Sequence, residues 1–531
     1  MPDQAQMDQP AVGRDRPGVA APPADLPLIL DRSSRTALSK QLSGQLRTAI
    51  RCGQLEPGQR MPSTRALADA LGVGRNITFE AYEDLLAEGY LVGRDRSGTY
   101  VAHDLAAEVP GQPRPLPTPS TAARWLRRQV PEPHVEDAIT SGLLEFRVGQ
   151  TDTRALPQTE WRRAWRDVAE LDLPSDYDDP AGDLRLREAV AGYLKRARGL
   201  VCTADDVIIT AGAVQGVNLV AQAVLEPGDT VGFEEPGYRL ARQILQEAGA
   251  HILPLPVDPD GLRLDALPTG TDAPLLVYTT PSHQFPLGVR LSIPRRLALL
   301  EWAQQHDALI IEDDYDSEFR YGAPPLPSLA SLDTNGRVVY LGTFSKVLSP
   351  AVRVGYVVAP PVLRDRLLHI KGRLDFHTSW PVQRALALLI EQGHLERHIR
   401  RMRRVYAAKR SLLSSALHGV RPHARLMGLE AGLHAHLELD PAIPAERVVA
   451  AARQHRLIVP SLSPYYLGTP DRNGLLLGYG GLSLPDLEES ARLLARAVAQ
   501  VSRRAAEADG WGNWLVNLEE NWLCDPATPA L

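Results

Sequence analysis

A lone lysine, Lys346, closes the stretch Gly342-Thr343-Phe344-Ser345-Lys346 between two apolar, β-branched runs, Val338-Val339-Tyr340-Leu341 and Val354-Gly355-Tyr356-Val357-Val358-Ala359. Runs of this kind read as buried strands. An amine held at the joint of two such strands is partly desolvated. Its pKa falls and it becomes the nucleophile that Schiff-base chemistry needs. Thr343 and Ser345 add hydroxyls, and Arg353 adds a planar fork that suits a phosphate. Upstream, the strand-like Leu309-Ile310-Ile311 runs into Glu312-Asp313-Asp314-Tyr315-Asp316. A carboxylate at a strand end can pair with a protonated pyridine nitrogen and strengthen an electron sink. A tyrosine two residues on can reach a ring hydroxyl.

These groups need rigid elements to hold them. From Leu144 to about Val501 short apolar runs alternate with amphipathic helical patterns, which predicts an α/β domain built on a largely parallel sheet. Val207-Ile208-Ile209-Thr210 reads as a strand and Ala211-Gly212-Ala213-Val214-Gln215 as the opening of a helix. The first amides of a helix cradle a phosphate dianion well, which makes Ala213 and Val214 candidates. Taken together, the motifs resemble fold-type I pyridoxal 5'-phosphate (PLP) proteins of the aminotransferase type. The resemblance implies PLP as cofactor, Lys346 as its Schiff-base lysine, Asp313 as the partner of the pyridine nitrogen and Tyr315 as the phenol partner. It implies that Tyr238, in Glu234-Glu235-Pro236-Gly237-Tyr238, stacks on the ring, and that Tyr177 is the dimer-contact tyrosine that reaches the neighbour's phosphate. Related enzymes carry an asparagine where Phe285 stands in Pro281-Ser282-His283-Gln284-Phe285-Pro286. Phenylalanine cannot replace its hydrogen bond to the ring hydroxyl, and His283 and Gln284 are the candidates to do so.

The N-terminal part reads differently. Leu38, Leu42, Leu46, Ala49 and Ile50 recur at helical spacing, and Leu55-Glu56-Pro57-Gly58 ends that helix. Ser63 or Thr64 can cap a second, short helix. After the turn Gly72-Val73-Gly74, a third is expected from Arg75 to Glu88. Gly89-Tyr90-Leu91-Val92 and Gly98-Thr99-Tyr100-Val101 then read as two strands of a wing with Arg94 and Arg96 at its tip. This is a helix-turn-helix pattern. Leu55 to Arg65, Leu71 to Thr78 and Gly89-Tyr90-Leu91 resemble the winged helix-turn-helix of the GntR family. Carried over, the resemblance assigns DNA contacts to Ser63, Arg65, Arg75, Asn76, Thr78, Arg94 and Arg96. Arginine suits phosphates or guanine, and Asn and Thr suit base edges or phosphates.

Composition bounds the rest. The net charge of −6 excludes a chain that is a general polyanion binder, so DNA binding has to be local. Residues 31–103 carry ten Arg or Lys against eight Asp or Glu, a net of +2, so the pattern carries that assignment rather than the charge. Cys52, Cys202 and Cys524 lie far apart and form no CxxC pair, which suits a reducing compartment without a disulfide framework or metal site. No apolar signal core and no membrane-length run is present, so the expected location is the cytoplasm. The expected order is a lead (1–26), the winged helix (27–103), a linker (104–140) stiffened by prolines and holding the basic run Arg124 to Arg128, the α/β domain (141–505), and a tail (506–531) with Trp511, Trp514 and Trp522. Within the α/β domain, a smaller C-terminal part is expected from about Val382.

This order resembles the MocR subfamily of GntR regulators, which implies a double-stranded DNA operator as partner and a head-to-tail homodimer with swapped DNA-binding heads. The competing class is an active aminotransferase. The residue that decides between them is the arginine that binds the substrate carboxylate. In amino-acid transaminases it lies three residues before an aromatic in a C-terminal strand. Here Leu476 of Leu475-Leu476-Leu477-Gly478-Tyr479 stands there, with Arg472 the nearest substitute and Asp471 beside it to neutralise it. GABA-responsive relatives carry an arginine at the position of Leu287. With both arginines gone, the expectation is a regulator that senses PLP itself, in the manner of regulators of PLP synthesis, with little or no transaminase turnover.

Overall fold

The computed structural model describes residues 28–94, 97–103, 142–321 and 326–508. The expected lead, Arg96 at the wing tip, the linker with its basic run, and the tryptophan-bearing end lie outside these residues. The chain divides into two compact units, Met1–Glu132 and Pro133–Leu531.

In the first unit the helical periodicity becomes α1 (Leu38–Arg51), α2 (Thr64–Leu71) and α3 (Arg75–Ala87), followed by the antiparallel pair β1 (Leu91–Arg94) and β2 (Gly98–Val101). Ser63 caps α2, its hydroxyl oxygen accepting the Ala66 N–H at 3.1 Å. Leu42, Leu46 and Ile50 of α1 meet Leu67, Ala81, Tyr82, Leu85, Leu91 and Val101 in one core. Lys40–Asp84 and Arg47–Glu88 ion pairs tie α1 to α3 on the outside.

The second unit opens with β3 (Leu144–Glu145), α4 (Gln158–Ala169) and α5 (Leu184–Arg198). Its main sheet has eight strands: β4 (Val207–Thr210), β5 (Thr230–Glu235), β6 (His251–Asp258), β7 (Gly261–Leu262), β8 (Leu276–Thr279), β9 (Leu309–Asp314), β10 (Val338–Thr343) and β11 (Gly355–Val358). They lie in the order β4-β11-β10-β9-β8-β5-β6-β7. The middle strands β10, β9, β8, β5 and β6 run parallel, while β11 and β7 are antiparallel to their neighbours. The sheet is therefore mixed, with the expected parallel centre. Both faces are covered, so the strands read as near-continuous apolar runs. Tyr278, Ile311 and Val339 point to one layer, with α6 (Ala213–Val224); Val277, Ile310 and Val338 point to the other.

A second, three-stranded antiparallel sheet, β12 (Ala424–Met427), β13 (His434–Leu439) and β15 (Gly474–Gly478), packs with the helices His394–Ala416 and Leu484–Ala508; the short β14 (Leu457–Ile458) pairs with β3. The smaller part therefore starts later than Val382. The helix Trp380–Glu391 buries Leu386 and Ile390 against α5, and Ala385 and Leu389 against α4, inside the larger layer. Its apolar residues are shared between faces, and sequence periodicity alone does not say which neighbour takes them. None of the described helices is long and apolar enough to cross a membrane.

Candidate functional site

In parallel sheets, ligands bind beyond the carboxyl ends of the strands, and the chemistry-bearing residues of the second unit collect there. Asp313 lies near the end of β9, paired in register with Leu341 of β10. Lys346 follows β10, Tyr315 follows β9, Tyr238 follows β5, and Ala213 opens α6 just after β4.

Asp313 is 3% exposed. One carboxylate oxygen accepts a 2.6 Å hydrogen bond from the Tyr278 hydroxyl, and the other, Oδ1, is buried without a partner. Burial raises the carboxyl pKa to about 6, against the lowering effect of the Tyr278 bond. The flanking acids are committed elsewhere. Glu312 accepts the Leu329 and Ala330 amides, and Asp314 pairs with Arg198 at 2.8 Å and accepts from the Tyr340 hydroxyl.

The Lys346 amine donates to the carbonyl of Gly149 at 3.0 Å. Burial lowers its pKa from the ordinary lysine value, opposed by the charges of Asp316 and Asp313. Gly149 has φ +83°, a backbone conformation that favours glycine, and a Cβ there would stand 2.5 Å from the lysine nitrogen and displace it. Thr343 and Ser345 are both buried, and their hydroxyls hydrogen-bond to each other at 3.1 Å.

Arg353 is held with φ 52° and donates to the Ala211 carbonyl, beside Gly212, which precedes α6. No side chain caps that helix. Its first amides, including those of Ala213 and Val214, have no carbonyl partner within the helix. Gln215 accepts the Ala211 amide and donates to Asp375 at 2.7 Å. Tyr238 is half-buried, with its ring edge-on to Phe285. Tyr177 is not brought to Lys346 within this chain; it is exposed and stacks on Phe376 at 4.5 Å.

Of the two substitutes for the missing asparagine, Gln284 is spent on Glu234 and the carbonyl of Pro236. His283 is different: its Nδ1 lies 3.1 Å from the Tyr315 hydroxyl and 3.0 Å from Asp316. Arg472 reaches the Val257 carbonyl and lies 3.9 Å from Glu438, whereas Asp471 accepts from Tyr466, so Glu438 rather than Asp471 is its counter-ion. Sequence reading missed Tyr278, Gly149 and His434, which join the site from distant segments. Of the three, only Tyr278 stands in an apolar run, Leu275-Leu276-Val277-Tyr278, that marks a strand.

In the first unit Ser63, Arg65, Arg75 and Asn76 are exposed around the start of α2 and α3. Arg94 is exposed too, with its guanidinium over the Tyr100 ring at 4.8 Å. Thr78 is a correction. It is 0% exposed, and its hydroxyl donates to the carbonyls of Thr64 and Arg75, so it holds α3 against α2 and has no face for DNA. Phe79, half-exposed on α3, and Arg60, exposed and bridged to Tyr100, are surface neighbours that sequence reading passed over.

Comparison with known proteins follows the same division. Residues 142–472 match the family Aminotransferase class I and II, and residues 38–101 match the bacterial regulatory proteins of the gntR family. The HTH-type pyridoxine biosynthesis transcriptional regulator PdxR of Corynebacterium glutamicum is 38% identical over 86% of this chain and 95% of its own. The probable rhizopine catabolism regulatory protein MocR of Rhizobium meliloti is 34% identical over 88% of this chain and 95% of its own. Among solved structures, the α-aminoadipate aminotransferase LysN of Thermus thermophilus, complexed with N-(5'-phosphopyridoxyl)-L-leucine, is 29% identical with a TM-score of 0.63, covering 68% of this chain and 93% of LysN. A GntR-type DNA-binding unit followed by an aminotransferase-fold unit, in one chain that aligns with these regulators over nearly its whole length, belongs to the MocR subfamily of GntR-type transcriptional regulators.

Proposed function

We propose that the protein is a transcriptional regulator whose second unit binds PLP at Lys346 and whose DNA binding responds to PLP itself. The orphaned Oδ1 of Asp313 suits a protonated ring nitrogen. The uncapped start of α6, with Arg353 beside it, suits the phosphate. Thr343 and Ser345 offer further hydroxyls to it. Tyr238 offers a ring face, and Tyr177, exposed in the single chain and stacked on Phe376, lies at the surface where it would reach a partner's phosphate in a head-to-tail homodimer with swapped heads. When bound, PLP supplies an electrophilic carbon for an amine and a ring that accepts electron density. The chain's own part would be to hold Lys346 desolvated, present the Asp313 carboxylate to the ring nitrogen and offer the Tyr238 ring face.

One observation carries the sensor reading. Leu287 and Leu476 lie in the same buried apolar cluster, with Val257, Leu462 and Tyr466. A guanidinium that binds an amino-acid carboxylate gives orientation as well as affinity, and leucine offers neither. The nearest candidate, Arg472, faces Glu438 and a carbonyl. The similarity to a pyridoxine biosynthesis regulator supports the same reading. In the first unit, Ser63, Arg65, Arg75, Asn76, Arg94 and Arg96 are the proposed contacts to a double-stranded operator.

A ligand can shift a conformational equilibrium only by its differential affinity for the two states. The test is therefore operator binding titrated with PLP, run beside half-transamination of aspartate, alanine and GABA followed by the cofactor's absorbance. The expected result is a PLP-dependent change in operator affinity with slow or no spectral conversion by any of the three. Rapid conversion, or DNA binding indifferent to PLP, would replace this reading with an amino-acid effector or an enzyme.

A further inference from the structure

His283 is 1% exposed and sits between an acid and a phenol. Its Nδ1 is 3.0 and 3.1 Å from the two carboxylate oxygens of Asp316 and 3.1 Å from the hydroxyl of Tyr315. A ring nitrogen facing a carboxylate carries its hydrogen there, since two lone pairs would otherwise meet. That choice has a consequence for Tyr315. The phenol cannot donate to an Nδ1 that already holds a hydrogen, so its oxygen shares that one hydrogen with the Asp316 carboxylate as a second acceptor and its own hydrogen turns elsewhere.

The seat is built for this pair. A Cβ at Gly432, which has φ +74°, would stand 2.2 Å from His283 Cε1 and 2.3 Å from Asp316 Oδ2, so any side chain would push the two apart. Nε2 of His283 is buried with no partner. The ring centroids of His283 and His434 lie 4.8 Å apart, and burial keeps His434 neutral. Asp316 and Asp313 favour a charged Lys346, and Arg353 disfavours it. Burial of the Tyr315 hydroxyl opposes its ionisation most, and the acids around it, Asp316, Asp313, Glu234 and Asp314, oppose it too. The phenol therefore keeps its hydrogen as a donor.

We infer that His283, clamped by Asp316, is a positioning residue that aims the Tyr315 hydroxyl as a hydrogen-bond donor at the ring oxygen of the bound cofactor, taking over the task of the asparagine that Phe285 replaces. The inference rests on the proposal that PLP binds at Lys346. A hydrogen bond given to the ring oxygen withdraws negative charge from it, and the neighbouring nitrogen of Lys346 then holds its proton less firmly. Without that bond the proton is held more tightly.

The experiment follows the pH titration of the cofactor's absorbance band and the PLP Kd in the full-length protein and in His283→Leu, His283→Asn, Tyr315→Phe and the double variant His283→Leu/Tyr315→Phe. His283→Leu and Tyr315→Phe should each raise the titration midpoint by about one pH unit and weaken PLP binding about tenfold. The double variant should shift no further than either single one, because His283 acts through Tyr315. His283→Asn, whose amide N–H can take the place of Nδ1–H, should stay near wild type. Additive shifts in the double variant, or an unmoved midpoint in both His283→Leu and His283→Asn, would overturn the inference while leaving PLP binding intact. If the wild-type protein gives no borohydride-trapped PLP on Lys346, the underlying site reading falls with it.

Discussion

Leu287 and Leu476 share one buried cluster, the first from the loop that follows β8 and the second from the middle of β15. Both are at most 1% exposed. Their shared cluster makes this part of the site a packing unit rather than an anion trap. Leu476→Ala should cost about 2–5 kcal/mol, the range for emptying a buried leucine site. Urea unfolding of the full-length protein followed by the tryptophans of the second unit checks this. A loss below 1 kcal/mol would mean the cluster does not pack as described.

Lys346→Ala should abolish the long-wavelength band of the bound cofactor and all borohydride trapping, with far-UV circular dichroism unchanged. The lysine makes one hydrogen bond, to a carbonyl, so little of the fold depends on it. Trapping that persists and maps to another lysine would move the site.

Arg65→Ala and Arg75→Ala should each weaken operator binding about tenfold or more, and each lost phosphate contact should reduce the salt slope by about one. Thr78→Val should behave differently. It removes a buried hydroxyl that donates to two carbonyls, so the expected effect is a stability loss of about 1–3 kcal/mol. Affinity per folded molecule should be unchanged. Fluorescence anisotropy against salt, together with thermal melts, separates the two cases.

The pH dependence of the cofactor-free protein follows from Asp313. Its carboxyl pKa, raised by burial from 3.8 to about 6, means the folded state binds more protons than the unfolded state between these values. Stability from this group is present below about pH 4 and is lost as pH rises through about 6. Asp313→Asn should flatten that part of the stability–pH curve. An unchanged slope in the variant would show that another acid, such as Glu312 with its pKa near 7, governs the window.

Much of this was readable in the sequence because it is local. The three helices and two wing strands of the first unit follow from periodicity and turn residues. The lysine and aspartate fall at the ends of apolar runs, which places them at one sheet edge once the sheet is parallel. The errors have equally physical causes. Thr78 shares a helical face with Ala81, Tyr82 and Leu85, all buried; its period points inward, whereas the family resemblance assigns it a DNA contact. The role of Trp380–Glu391 depends on which layer receives it, and Tyr278, His434 and Gly149 enter the site through contacts between segments far apart in the chain. The His283–Asp316 pair was half-legible: the residue types were visible, but not the 3.0 Å that joins them.

The approach of Lys346 to the backbone at position 149 has an evolutionary corollary. That position contributes no side chain, yet its carbonyl gives the amine a resting place and its bare Cα leaves the amine room. Under the proposed role of Lys346, selection on that lysine therefore acts on a missing atom. In a deep mutational scan for regulation, position 149 should reject alanine almost as firmly as position 346 rejects arginine, although the first change adds a single methyl group and the second keeps the charge.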